Sequence, residues 1–147
     1  MFEMIAVSSC IAGVKCRYNA TDDYKPSLMN DIADNFIAVC PEILAGFDIP
    51  RTACEIVGGS GEDVLKGTAR IIDKKGTDIA GIMISGAEKA LQICLESSIT
   101  KAYLKSKSPT CGCGKIYDGS FSNTLKSGNG IFSALLKQYG IEVVEVE

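Results

Sequence analysis

The feature that most limits the folds open to this chain is the alternation of short apolar runs with segments of helical periodicity. Met4-Ile5-Ala6-Val7-Ser8 and Phe36-Ile37-Ala38-Val39 read as buried strands, and Lys101-Ala102-Tyr103-Leu104-Lys105 and the stretch from Ile141 to Val146 as further strands. Pro26-Ser27 opens a helix of about ten residues with Leu28, Met29, Ile32 and Ala33 on one face. From Thr77 or Asp78, both good N-caps, Ile79, Ile82, Met83, Ala87, Ala90, Leu91 and Cys94 keep helical spacing. A last helix runs from Gly130 to Tyr139 and is closed by Gly140. The stretch from Gly67 to Asp73 reads as a further strand, closed by a turn at Lys75-Gly76, whereas Pro50-Arg51 and Gly58-Gly59-Ser60-Gly61 read as loop. Strands alternating with helices predict a mostly parallel sheet with helices on both faces, a three-layer, Rossmann-like α/β fold. The 147 residues contain no internal repeat, linker or low-complexity segment, and one α/β domain spanning 1–147 is expected.

Two counts bound the chemistry: seven cysteines and no histidine. Without imidazole there is no Ser-His-Asp or Cys-His catalysis and no His-ligated metal. Sulfur, carboxylates, hydroxyls, lysines or a cofactor must carry any reaction. The N-terminal Met1-Phe2-Glu3 lacks the basic stretch of a signal peptide and leads straight into a strand, so a cytoplasmic protein is expected. In a reducing compartment, clustered thiols read first as metal or cluster ligands or as redox groups. A net charge of -3 offers no basic footprint for nucleic acid, and no apolar run reaches membrane-spanning length.

Three strands end at or shortly before a thiol: Cys10, Cys40 and Cys111. Ligands of open parallel sheets bind outside the carboxyl ends of the strands, so these thiols are expected to converge on one rim if their strands are neighbours. Cys94 falls on the apolar helix face and reads as core, and Cys54 in an irregular segment reads as structural or incidental. Cys16 and Cys113 stand between these readings. Three thiolates without histidine leave three readings open: a zinc site completed by a fourth ligand, an iron–sulfur cluster, or a cysteine nucleophile or redox pair.

Other residues near the same rim bear on the choice. Glu42, two residues past Cys40, is placed either to move protons or to stabilise a helix start. Ser108, in Ser108-Pro109-Thr110 ahead of Cys111, either orders a turn or orients a substrate. Arg17 and Arg51 are candidates for holding an anion or a planar ligand. Neither a dinucleotide-binding fingerprint nor a phosphate-loop pattern is present.

Taken together, several segments resemble one bacterial family. These are Val7-Ser8-Ser9-Cys10-Ile11-Ala12-Gly13 with Arg17-Tyr18-Asn19, Cys40-Pro41-Glu42, Pro50-Arg51, Ser108-Pro109-Thr110-Cys111-Gly112 and Tyr117-Asp118-Gly119-Ser120-Phe121. The family, long known as a domain of unknown function, includes the thiouracil desulfurases. The chain departs from the family pattern at Ile11-Ala12, where two leucines are common, and at Asn19-Ala20, where Asp-Gly is common. The resemblance implies an oxygen-sensitive [4Fe-4S] cluster held by three cysteines, mapping onto Cys10, Cys40 and Cys111. It implies that a thiolated pyrimidine or related thioamide places its sulfur on the open iron. Glu42 and Ser108 then map onto the assisting glutamate and serine of a non-redox desulfuration. The alternative is a non-catalytic metal- or iron–sulfur-binding protein whose site is closed by a fourth ligand.

Overall fold

In the computed structural model, which describes residues 4–147, the chain passes through β1 (Ile5–Ser8), α1 (Pro26–Ile32), β2 (Phe36–Val39), α2 (Pro41–Leu44), β3 (Cys54–Val57), α3 (Gly61–Lys66), β4 (Arg70–Asp73), α4 (Ala80–Glu96), β5 (Lys101–Lys105), β6 (Lys115–Tyr117), β7 (Leu125–Ser127), α5 (Ile131–Gln138) and β8 (Glu142–Val146). The Met1-Phe2-Glu3 stretch, read above as lacking a leader's basic segment, lies outside the described residues. The four apolar runs form one parallel sheet in the order β2-β1-β5-β8. Successive side chains of a strand point to opposite faces. Ala6, Val39, Ala102 and Leu104 therefore join Met83, Ala87 and Leu91 of α4 and Phe132 and Leu136 of α5 in the larger core. Val7, Ile5, Phe36 and Tyr103 face the other way and pack with Ile32, Leu28 and Met29 of α1. Helices cover both faces, as the alternation predicts. Among the described residues no helix is long and apolar enough to cross a membrane.

Differences from the sequence expectation lie where the pattern is weakest. Helix α1 has seven residues rather than about ten, and the positive φ of Ala33 (57°, with ψ -127°) stops the helix instead of extending its apolar face. The segment holding Cys54 is a strand, paired antiparallel with β4 so that Cys54 faces Asp73 and Val57 faces Arg70. A second small antiparallel pair, β6 with β7, follows Cys111. Its strands have three residues each, too few to display a period.

One close approach positions the site. A Cβ on Gly86 of α4 would run into the Pro41 carbonyl oxygen and the Ala45 side chain, so only glycine lets α2 settle directly on α4. That contact fixes the short helix beginning immediately after Cys40.

Candidate active site

The sheet order makes β2, β1 and β5 immediate neighbours, so their carboxyl ends share one edge. Cys10, Cys40 and Cys111, together with Glu42 and Ser108, line a single cavity of about 340 Å³ at that edge. Cavities of roughly 300–1,000 Å³ hold small-molecule ligands.

Each thiol is fixed by local structure with a visible cause. After β1 the chain turns tightly, Ile11 N–H donating to Ser8 O at 2.9 Å and Val14 N–H to Ser9 O at 3.0 Å, while the Cys10 carbonyl accepts from Asp23 N–H at 2.9 Å. The Ser8 hydroxyl accepts from the Lys105 N–H at 3.0 Å and ties the ends of β1 and β5 together. Cys40 occupies the N-cap of α2 in extended conformation, and Pro41 at the first helical position ends the strand. Cys111 is held from three directions. Its N–H donates to Ser108 Oγ at 2.7 Å, Ser133 Oγ donates to its carbonyl at 2.8 Å, and Gly112 N–H closes the turn onto Ser108 O at 3.0 Å. The Ser108 oxygen thus orders the turn as an acceptor, and its own proton remains to be donated.

The thiols also influence one another. Cys40 donates to Glu42 Oε2 at 3.2 Å. Cys16, buried at 3% exposure, packs with Cys10 and Cys40 in one buried cluster. The bond from Cys16 holds the Cys10 thiol below its ordinary range, against burial and the nearby negative charge of Glu42 and Asp23. Its bonds to Cys10 and Cys40, reinforced by burial, push the Cys16 thiol far up. Burial raises Cys111 as well, with the Glu42 charge in the same direction and a hydrogen bond to Ser8 opposing it. Cys16 and Cys111 therefore hold their protons until a cation that prefers sulfur displaces them. Among the described residues no three thiols or carboxylates are arranged to hold a single metal ion. The ligands of a four-iron cluster stand wider apart, roughly 6–7 Å between sulfurs.

The remaining sequence candidates separate cleanly. Cys94 is fully buried on α4, pushed up to about 11 by burial, and belongs to the core. Cys54, read as incidental, stands on β3 and lines the cavity, its thiol pushed up to about 12 by burial. Cys113 is not among the lining residues. Arg17 and Arg51 both line the cavity, and Nη1 of Arg51 is buried without a hydrogen-bond partner. Sequence reasoning missed Lys105 and Glu55 on the same wall. Lys105 ends β5, and the rule that led to the cysteines would have found it. Glu55 sits in a strand with no legible period and gave no signal.

The sequence profile of the 2-thiouracil desulfurase family matches residues 5–147. The chain belongs to that family. It is 42% identical over 142 residues to the uncharacterized protein YbbK of Bacillus subtilis (strain 168), covering 96% of this chain and 94% of the relative. Its fold matches the solved structure of TudS, a [4Fe-4S]-dependent thiouracil desulfidase, with a TM-score of 0.86 and 33% identity over 98% of this chain and 91% of that one. The resemblance read from the motifs is therefore borne out, and the protein is a desulfurase-type iron–sulfur enzyme.

Proposed function

We propose that this chain removes sulfur from a thiolated nucleobase or related thioamide without net redox change, using a [4Fe-4S] cluster held by Cys10, Cys40 and Cys111. The observation that carries this reading is that those thiols line one cavity together with Glu42 and Ser108. The donor set fits the group: sulfur ligands on three neighbouring strand ends that open into one cavity. When bound, the cluster supplies an iron lacking a protein ligand, a soft Lewis acid for the substrate's sulfur.

The reaction adds water across a C=S group: a C–O bond forms, the C–S bond breaks, and sulfur leaves as hydrosulfide. Glu42 takes the proton from the attacking water, from a carboxylate already held over the thiols by α2. Ser108 donates its hydroxyl hydrogen to the substrate ring or to that water, while its oxygen is braced by the Cys111 N–H. Residues 1–147 act as one domain of a cytoplasmic protein, with a small molecule rather than nucleic acid as substrate.

Anaerobic reconstitution with iron and sulfide, followed by an electronic spectrum and a thiouracil assay, tests this reading. The expected result is a four-iron cluster, uracil and one sulfide per turnover, with cluster uptake lost in Cys10→Ala, Cys40→Ala and Cys111→Ala. Full uptake in any one of these variants overturns the ligand assignment. A second reading, a site closed by four thiolates, is favoured by the packing of Cys16 with Cys10 and Cys40 in the same cavity.

A further inference from the structure

The 118–123 segment, beside the cavity that Cys111 lines, carries an unusual aromatic residue. Phe121 has φ 58°, a backbone conformation that bulky residues rarely adopt. A turn needing that backbone ordinarily takes glycine or asparagine, and this one uses both nearby, at Gly119 (φ 94°) and Asn123 (φ 60°). The conformation at Phe121 persists because the segment is pinned from below. Glu55, on β3 and only 8% exposed, accepts from Gly119 N–H at 2.9 Å and from Phe121 N–H at 3.2 Å through a single carboxylate oxygen. Burying a carboxylate is costly unless it is hydrogen-bonded, so these two bonds tie the turn to the sheet. Gly119 is seated so closely that a Cβ there would stand 2.7 Å from the Ile56 carbonyl oxygen.

The pinned turn brings Phe121 into the wall of the cavity that Cys10, Cys40 and Cys111 also line. The aromatic side chains of that wall are Tyr18, Tyr117 and Phe121, and Phe121 is the one with no polar atom. It has no hydrogen bond to give a substrate, only the face or edge of a ring.

We propose that Phe121, locked in position by Glu55, stacks on the planar ring of the substrate and makes the site selective for heteroaromatic over aliphatic thiocarbonyl compounds. This rests on the desulfurase reading and deepens it. Phe121 touches the ring; Glu55 is a positioning residue that acts through the turn.

The test uses cluster-loaded protein, two substrates and one sulfur-free ring. Stacking of a base on an aromatic side chain commonly changes affinity by about tenfold or more. Phe121→Leu should raise KM for 2-thiouracil about tenfold, leave KM for thioacetamide unchanged, and weaken uracil binding in calorimetry by the same factor. Phe121→Tyr should keep wild-type values. Glu55→Ala should reproduce the Phe121→Leu pattern, and Glu55→Gln, which retains an acceptor oxygen, should restore much of it. Equal effects of Phe121→Leu on both substrates, or none on either, overturn the proposal, as does wild-type protein that binds no uracil. If the wild type turns over neither thiocarbonyl yet binds uracil, the desulfurase reading fails alone. The loss of uracil binding in Phe121→Leu then still decides the stacking role.

Discussion

The Cys40 thiol donates a hydrogen bond to Glu42 Oε2 across 3.2 Å, joining the first residue after β2 to the first turn of α2. The carboxylate is therefore turned back over the thiols and does not cap the backbone N–H groups of its own helix. That geometry favours proton transfer over helix stabilisation as the role of Glu42. Glu42→Gln, which keeps the shape and loses the basicity, should load the cluster normally and lose on the order of 10²-fold in desulfuration rate. Helix stabilisation alone would cost only a few tenths of a kcal/mol in the melt and leave the rate untouched.

Ser108 has a structural duty that the sequence could not separate from a functional one. Its oxygen accepts the Cys111 N–H at 2.7 Å. Ser108→Ala should cost about 1 kcal/mol of stability and also depress turnover. Ser108→Thr, with the same hydroxyl, should recover both. If the alanine variant loses stability but keeps its full rate, the hydroxyl serves the turn alone.

Asp23 gives the molecule a pH signature. Lys105 lies 2.9 Å from it and Lys25 3.5 Å. Burial alone would raise its carboxyl, but Lys105 and then Lys25 outweigh burial and hold it below the usual value of 3.8. A group whose folded pKa is lowered contributes stability above its unfolded pKa and loses that contribution as pH falls through the folded one. Thermal melts should therefore show wild type more stable than Asp23→Asn by about 1 kcal/mol at pH 7. The gap should close on acidification below about pH 4. A gap that is constant with pH assigns the effect to packing.

Gly86 tests whether α2 sets the site geometry. A methyl at that position meets the Pro41 carbonyl, so Gly86→Ala should displace the helix that follows Cys40 and cost about 1–3 kcal/mol. Cluster uptake should fall with it. Gly81, on the same helix with nothing within 4 Å of an added Cβ, is the control. Gly81→Ala should leave uptake unchanged and stability equal or slightly higher.

How much of this was legible follows from where the signal lies. Strands β1 and β2 are short apolar runs, and β5 and β8 set apolar residues beside charged ones, so composition marks all four. The convergence of Cys10, Cys40 and Cys111 followed from one rule about strand ends, because their strands are neighbours in the sheet. Glu55, Cys54 and the β6–β7 pair were not legible. They sit in strands of three or four residues whose pairing is set by tertiary contact, such as the seating of Gly119 on Ile56. Cys16 was visible as a thiol but not as a neighbour of Cys40, since that contact depends on a turn whose shape the sequence does not state.

Cys16 decides between an open and a closed site. It packs with two of the proposed ligands and lines the cavity, whereas Cys113 does not line it. Four thiolates on a four-iron cluster leave no iron for substrate, and desulfuration at an iron needs that position free. An open site requires Cys16 to remain a thiol beside the ligand sulfurs and not to join them as a ligand. Cys16→Ala should then keep the cluster absorbance and thiouracil turnover, and Cys113→Ala should change neither. In the cluster-free protein Cys16→Ala should also slow alkylation of Cys10 at neutral pH, because the bond that holds the Cys10 pKa down is gone and its thiolate fraction falls. If Cys16→Ala loses the cluster as completely as Cys111→Ala, the coordination is closed and the desulfurase assignment of this cavity falls with it.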